Sequence, residues 1–191
     1  MPRVPLADPA GFTGSIAEAF KGPAGRASIF RLLALAPTCM PGFSQLTQAV
    51  FAGLELPPVD RELLVLMTAK LQDGAYEWAQ HVAIVENMGV PRTVVDAIER
   101  FDFEGEVYTP AQRALLRFGR QSVCNVRVDD HAFGELAKHY TPRQIVEAIY
   151  TIGVYMFLAR LTEGLELGID PPVGPQVLED AKARRAQDGA R

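Results

Sequence analysis

The chain has 191 residues, of which 48% are hydrophobic and 22% are charged, as in an ordinary globular domain. This length is enough for one well-filled core. The net charge of −4 and the pI near 5.4 argue against nucleic acid as the main partner, because nucleic-acid-binding domains usually present a basic face. No secretion signal is evident, and no segment approaches the ~18 uninterrupted apolar residues of a membrane span, so no membrane partner is expected.

The two cysteines, Cys39 and Cys124, are far apart in the sequence and form no CxxC pair. This usage predicts no disulfide framework and favours a reducing compartment, the cytoplasm. Each cysteine is predicted to be a small buried hydrophobic residue and not a reactive thiol.

Residues 1–12 are rich in Pro, Ala and Gly and are predicted to form an extended N-terminal arm. Residues 13–172 are predicted to form one helical domain, followed by a tail at 173–191 whose charged end, from 180 onwards, frays. Along the domain, Gly and Pro interrupt the helix-forming segments. These interruptions predict helices over 13–21, 27–36, 42–53, 58–72, 75–88, 91–100, 110–123, 130–139 and 142–166. No convincing alternation of polar and apolar residues is present, so little β structure is expected.

Two of these helices carry the same starting signal. Thr109-Pro110-Ala111-Gln112 places a capping threonine before a first-turn proline, with a glutamine three residues after the cap. Thr141-Pro142-Arg143-Gln144 repeats this capping box. The helix that follows contains the most apolar stretch of the chain, 145–161, but Glu147 and Arg160 lie within it, which favours a core helix over a membrane span.

The second half of the domain resembles the first. Residues 61–64 align with 113–116, and residues 90–98 align with 141–149 after one deletion. With only two copies, a duplicated helical unit within one domain is expected, and not a repeat array. The core motif covers 56–100 and a degenerate second copy covers 109–160.

The two copies differ at three positions where the first copy carries ionisable side chains. Glu62, Glu77 and His81 of the first copy correspond to an alanine, an aspartate and a phenylalanine in the second. A site built from these residues therefore belongs to the first copy.

Glu77 and His81 lie on the apolar face of their predicted helix, one turn apart, where an i, i+4 pair can touch. Gln80 is expected to lie away from that face. Glu62, near the start of the preceding helix, is expected to point inward as well. A buried charge must be paired, neutralised or shifted in pKa, so these three groups indicate either a structural ion pair or an acid/base site.

Other kinds of site fit less well. Two carboxylates and one imidazole could hold a metal ion, but the chain has no Glu-x-x-His motif of the kind that four-helix di-metal sites use. No metal is therefore expected. Nucleophile elbows, phosphate-binding loops and dinucleotide fingerprints are also absent from the sequence.

The spacing of the three residues resembles that of the superfamily of alkylhydroperoxidase D and carboxymuconolactone decarboxylase. Its thiol-active members carry Glu-x11-Cys-x2-Cys-x3-His, and this chain has Glu62, Gly74, Glu77 and His81 at the same spacing. Glycine and glutamate thus replace both cysteines. The segment from Tyr76 to His81 also resembles a branch with a Tyr-Glu-Trp-x-x-His signature. The resemblance extends from about residue 3 to residue 172.

The resemblance implies an all-α, single-domain alkylhydroperoxidase D-like fold with an internal two-fold helical pseudo-repeat. It implies assembly as a homodimer, trimer or hexamer, no organic cofactor, and a site at the start of the helix that contains Glu77. The thiol peroxidase route needs the missing cysteines. The decarboxylase members act on a carboxylated lactone in the breakdown of aromatic acids, which implies a small organic acid or lactone as substrate.

On this interpretation His81 is either the proton donor or the stabiliser of an enolate oxygen, and Glu77 either sets the tautomer of His81 or acts as a base. Glu62 completes the relay. Arg160 is a candidate to hold a substrate carboxylate, although pairing with an acid is an equal alternative. Tyr76, Trp78 and Tyr155 are candidates for the pocket wall or for packing.

The leading hypothesis is therefore a cofactor-independent acid/base lyase that decarboxylates, or processes a lactone of, a small organic acid. One alternative is an antioxidant protein of the peroxidase-related kind. The other is a non-catalytic helical oligomer that binds a small ligand.

Overall fold

The computed structural model describes residues 2–21, 27–176, 178, 179 and 183, and within these ranges the chain is helical without any strand. A short 3-10 turn, Pro9–Gly11, precedes the helices. The helices are α1 (Gly14–Ala19), α2 (Ser28–Leu33), α3 (Met40–Ala52), α4 (Pro58–Leu71), α5 (Ala75–Asn87), α6 (Arg92–Glu99), α7 (Pro110–Asn125), α8 (Asp130–Ala137) and α9 (Pro142–Gly164). The all-α class predicted from the sequence is confirmed, and most helix ends fall within two residues of their predicted positions.

The two capping boxes form as their sequences predict. Thr109 accepts a hydrogen bond from the backbone N–H of Gln112, whose side chain accepts one from the backbone N–H of Thr109. Thr141 and Gln144 make the same reciprocal pair at the start of α9. Each box satisfies N–H groups that the first helical turn leaves without partners.

Helix α4 forms the centre of the molecule and packs against α5, α6, α7 and α9. Every residue from Asp60 to Ala69 is buried. Helix α9 is long and apolar enough to cross a membrane by length and composition alone. It packs against α3, α4, α5, α7 and α8, as the prediction of a core helix required.

Helix α4 packs on α7, and one contact between them joins positions that the sequence alignment of the two halves pairs. The Gln112 amide donates to the Asp60 carboxylate over 3.0 Å. The duplication of a helical unit stays a prediction.

The N-terminal arm lies across α2 and the end of α9. The backbone N–H of Arg3 donates to Leu165, and the side chain of Arg31 donates to the Ala7 carbonyl. The arm departs from a fully extended form at the 3-10 turn, which Asp8 caps. At the other end, Leu178 is buried, while most of the stretch predicted to fray, 180–191, lies outside the described residues.

Cys39 and Cys124 are both exposed, so the prediction that they are buried is wrong. Cys39 immediately precedes α3, and Cys124 lies in the last turn of α7, beyond its last buried residue. At both places the helix end faces outward. The prediction of burial rested on the apolar character of the thiol, which does not depend on the direction that a helix end faces.

Candidate functional site

Glu62 is the most enclosed ionisable group of the candidate site, with no exposed surface. Arg61 donates to its Oε1 from Nε over 2.9 Å and from Nη2 over 2.6 Å. The Nδ1 atom of His81 lies 2.6 Å from the other oxygen, Oε2. Burial alone would raise the pKa of Glu62, but the charges and hydrogen bonds of His81 and Arg61 outweigh it and hold the pKa below its usual value.

The ionised state of Glu62 determines which nitrogen of His81 is free. An ionised carboxylate can only accept hydrogen bonds, so Nδ1 of His81 carries the proton that joins the two side chains. The other ring nitrogen, Nε2, makes no hydrogen bond to any residue in the described part of the chain. Glu62 therefore fixes the tautomer of His81 and leaves Nε2 for proton transfer.

Glu77 lies in the first turn of α5, and its carboxyl is also buried. Burial raises the pKa of Glu77 above its usual value, and the hydrogen bonds from its own backbone N–H and from Thr162 offset this only in part. Both carboxyl oxygens lie 3.1 Å from the Thr162 hydroxyl, which also lies 3.1 Å from the Leu158 carbonyl.

The Thr162 hydroxyl lies within hydrogen-bond distance of both Glu77 oxygens and of the Leu158 carbonyl, and its one proton can serve only one of these acceptors at a time. A protonated Glu77 can in turn donate to the Thr162 oxygen, so this contact is compatible with the rise that burial causes in the pKa of Glu77.

Gly74 makes room for this carboxyl. A Cβ atom at position 74 would lie 2.8 Å from Oε2 of Glu77 and 3.2 Å from the Cβ of Ala159. Gly74 and Glu77 therefore fit each other, because the glutamate carboxyl fills space that a side chain at position 74 would need.

Glu77 and His81 line a cavity of about 170 Å³ between α3, α5 and α9. Its walls are mainly apolar and aromatic, and they include Phe43 and Phe51 of α3 and Tyr155 of α9. The edge of the Tyr155 ring meets the His81 ring, with 4.8 Å between the ring centres. An acid and an imidazole thus share the wall of a small, mainly apolar cavity.

The structure brings together five of the seven site residues predicted from the sequence. Glu77, His81, Tyr76 and Tyr155 line the cavity, and Glu62 contacts His81 from behind. Glu77 and His81 do not hydrogen-bond to each other, because Glu77 bonds to α9 and His81 bonds to α4. The direct pair suggested by their i, i+4 spacing is replaced by two separate contacts.

The other two predicted residues, Trp78 and Arg160, lie outside the cavity. Trp78 packs on the main core cluster, with the ammonium group of Lys70 5.5 Å from its ring. Arg160 is exposed and donates to the Met156 carbonyl of its own helix. The two residues before it, Leu158 and Ala159, are buried. Each further residue of a helix turns by about 100°, and this turn places Arg160 on the outer side of α9.

Sequence reasoning missed three residues that shape the site. Arg61 was not expected to bind Glu62, although a cation beside a buried acid is a usable signal. Thr162, the partner of Glu77, lies 85 residues away in sequence. Gln80 was expected to face outward, yet it is buried, lines the cavity and ties the segment at 170–173 to α5 through the Asp170 carbonyl and the Val173 N–H.

The donor set does not favour other chemistries. Within the described ranges, no group of three His, Cys, Asp or Glu side chains is arranged to hold a metal ion. Glu62 already uses both oxygens on Arg61 and His81. Neither cysteine lines the cavity.

No protein-family model matches the sequence, and no curated protein matches it either. Solved structures do resemble it. An uncharacterized peroxidase-related protein from Ralstonia eutropha with an alkylhydroperoxidase AhpD core superposes with a TM-score of 0.79 at 19% identity, covering 91% of this chain and 94% of that one. A protein of unknown function from Agrobacterium tumefaciens, described in connection with antioxidant defence, has a TM-score of 0.65 at 21% identity, covering 71% and 92%.

A third similar structure is a cysteine-to-alanine variant of the debrominase Bmp8 in complex with 2,3,4-tribromopyrrole. It has a TM-score of 0.66 at 22% identity, and the match covers 80% of each chain. These likenesses show that the chain has the alkylhydroperoxidase D-like fold. The fold predicted from the Glu62, Gly74, Glu77 and His81 spacing is confirmed.

Proposed function

We propose that this protein is a cofactor-independent acid/base enzyme that acts on a small organic acid or lactone, with decarboxylation as its reaction. The observation that supports this most strongly is the different state of two groups on one cavity wall. Burial raises the pKa of Glu77 and so favours its protonated form, while the contact with Glu62 leaves Nε2 of His81 without a hydrogen-bond partner among the described residues. Two titratable groups whose surroundings set them to different tasks are the usual basis of acid/base catalysis.

The cavity sets the size and character of the substrate. A cavity of about 150 Å³ with apolar walls is known to accept a benzene-sized molecule, so a space of about 170 Å³ fits a single small ring with few substituents. No lysine or arginine is among the described residues that line it. Arg61, behind Glu62, supplies the fixed positive charge on that side of the cavity.

In a decarboxylation, the bond between the substrate carbon and its carboxylate breaks and carbon dioxide leaves. The electron pair passes into the adjacent carbonyl or lactone group as an enolate. Glu77 then gives its proton to that carbon, and the proton that restores Glu77 comes from water by way of Nε2 of His81, one helical turn away. Glu62 and Arg61 do not touch the substrate, and they act as positioning residues that hold the His81 ring.

A thiol peroxidase reaction is not proposed, because both cysteines are exposed and lie outside the cavity. Cytoplasmic location and self-association remain predictions. Large apolar side chains on the outer side of α9, at Val146, Ile149, Tyr150 and Phe157, are 44–55% exposed, and a second copy of the chain could cover them.

The test is carbon dioxide release from a panel of monocyclic and short-chain β-keto acids and unsaturated lactone carboxylates. The wild-type protein is compared with Glu77→Gln and His81→Asn. Loss of a general acid or base costs about 100-fold or more in rate, so both variants are expected to fall by at least that factor. Their matched controls, Glu86→Gln on the exposed side of α5 and His131→Asn on α8, are expected to retain the wild-type rate.

Full activity in Glu77→Gln would overturn the proposal. Tight binding of panel compounds without release of carbon dioxide would instead support a non-catalytic ligand-binding protein.

A further inference from the structure

Tyr155 differs from the other buried tyrosines in the use of its hydroxyl group. Tyr76 donates to Asp170, Tyr140 donates to Asp60, and Tyr108 donates to the Asp102 carbonyl. Tyr155 is only 2% exposed, but its hydroxyl makes no hydrogen bond to any residue that the structure describes. Desolvating a hydroxyl without a partner is unfavourable, so the other three positions follow the usual rule and Tyr155 departs from it.

The Tyr155 hydroxyl is also not sealed in the core. Among the described residues, Thr68 Oγ1 is the side-chain polar atom that is both fully enclosed and unpartnered. The Tyr155 ring lines the cavity beside His81. The Tyr155 side chain thus belongs to the same cavity wall as His81 and Glu77, and its hydroxyl is not fully enclosed.

The surroundings keep this phenol protonated. Burial raises the pKa of Tyr155 well above its usual value, the charge of Glu62 raises it further, and the charge of Arg61 opposes these effects only in part. At neutral pH the group is thus a hydrogen-bond donor that cannot easily lose its proton. A neutral donor in a low-dielectric cavity interacts strongly with a negatively charged oxygen.

We propose that Tyr155 is a third catalytic residue, which donates a hydrogen bond to the substrate oxygen on which negative charge develops. The inference rests on the proposed function and adds the class of substrate: a ring or chain whose carbonyl or lactone oxygen becomes an enolate. Tyr155 keeps its proton throughout, so no covalent step is assigned to it. The carbon receives its proton from Glu77, and the oxygen is stabilised by Tyr155.

The test uses substituted phenols as single-ring mimics of an enolate, so it does not depend on knowing the substrate. Their binding is measured at constant pH by calorimetry, and the absorbance of bound 4-nitrophenol reports whether it is ionised. Tyr155→Phe removes only the hydroxyl oxygen and keeps the ring against His81. The matched control is Tyr150→Phe, which removes the hydroxyl of an exposed tyrosine on the same helix.

We expect the wild-type protein and Tyr150→Phe to bind 4-nitrophenol in its ionised form. Tyr155→Phe is expected to bind it about tenfold more weakly or worse, since hydrogen bonds to charged groups contribute at least this factor. Equal affinity and equal ionisation of the bound phenol in Tyr155→Phe and the wild type would overturn the inference, as would a wild-type protein that binds no phenol.

The result is separable from the test of the proposed function. If Glu77→Gln abolishes carbon dioxide release while Tyr155→Phe leaves phenolate binding unchanged, the proposed function stands and the role of Tyr155 is refuted. If phenolate binding falls in Tyr155→Phe but no acid is decarboxylated, the hydroxyl is an anion-binding group and the proposed reaction is refuted.

Discussion

Replacing Arg61 with methionine tests the electrostatic arrangement behind the cavity. The substitution keeps an apolar side chain of comparable length but removes both donors to Oε1 of Glu62. It also removes the Nη1 donor to the Phe51 carbonyl. Among the described residues, His81 would then be the one remaining partner of a carboxylate with no exposed surface.

The expected cost follows from the burial of that carboxylate. Breaking a buried ion pair by removing one partner costs about 3–5 kcal/mol of unfolding free energy, which for a chain of this length lowers Tm by roughly 6–20 °C. Adding Glu62→Gln removes the uncompensated charge. The double variant Arg61→Met/Glu62→Gln is therefore expected to recover about 1–3 kcal/mol relative to Arg61→Met alone.

The assay is urea unfolding at pH 7 followed by circular dichroism, with m-values compared between variants. Arg92→Met is the matched control, because Arg92 pairs with Glu86 and Asp96 on the exposed surface and such pairs contribute about 0–1 kcal/mol. The reasoning is refuted if Arg61→Met costs no more than Arg92→Met, or if adding Glu62→Gln makes the variant less stable.

Three further predictions concern Glu77, Gly74 and the two cysteines. Because the pKa of Glu77 is raised above its ordinary value of 4.5, its contribution to stability is fully present below about pH 4.5 and is lost as pH rises through the folded-state pKa. Urea unfolding at a series of pH values should show that the difference in unfolding free energy between the wild type and Glu77→Gln decreases over that pH interval. A difference that does not change with pH would contradict the raised pKa of Glu77. Gly74→Ala should displace the Glu77 carboxyl and lower the unfolding free energy by about 1–3 kcal/mol. In a Glu77→Ala background, the same substitution should cost much less. If the two substitutions have strictly additive effects on stability in thermal melts, the two residues do not touch. Alkylation of Cys39 and Cys124 should leave phenolate binding unchanged in calorimetry, whereas a loss would reveal a thiol role.

Most of the fold could be predicted from local sequence signals. The capping boxes at Thr109 and Thr141 determine where α7 and α9 begin, and these signals act within one helical turn. The exposure of Cys39 and Cys124 could not be predicted, because it depends on where α3 and α7 lie against their neighbours. Membership of a helix is a local property, but the direction that its end faces is not.

The sequence predicted which residues form the site better than it predicted the contacts between them. Spacing alone places Glu77 and His81 on one helix face, and the inward direction of Glu62 follows from its apolar helix. The hydrogen bonds that assign their roles cross between helices, as in the Glu77 contact with Thr162 and the His81 contact with Glu62. Those contacts depend on the packing of α4, α5 and α9, which no i, i+4 pattern specifies.

Arg160 was predicted to belong to the site but lies outside it, again because helix packing could not be predicted from the sequence. A cation within an apolar helix suggested a carboxylate-binding group, but α9 has an inner side and an outer side, and Arg160 lies on the outer one. The pattern of apolar residues around α9 is too continuous to distinguish these sides, because large apolar residues such as Tyr150 and Phe157 are exposed as well.

At a pH between the two pKa values, Glu77 is expected to be a neutral acid while Glu62, on the neighbouring helix, is ionised. The most direct measurement is a pH titration of the side-chain carboxyl carbons by NMR, with ¹³C-labelled glutamate and the variants Glu77→Gln and Glu62→Gln for assignment. The Glu77 resonance is expected to titrate above pH 4.5 and the Glu62 resonance below it. A Glu77 carboxyl that ionises at or below pH 4.5 would contradict the account, because the cavity would then contain no acid to supply the proton.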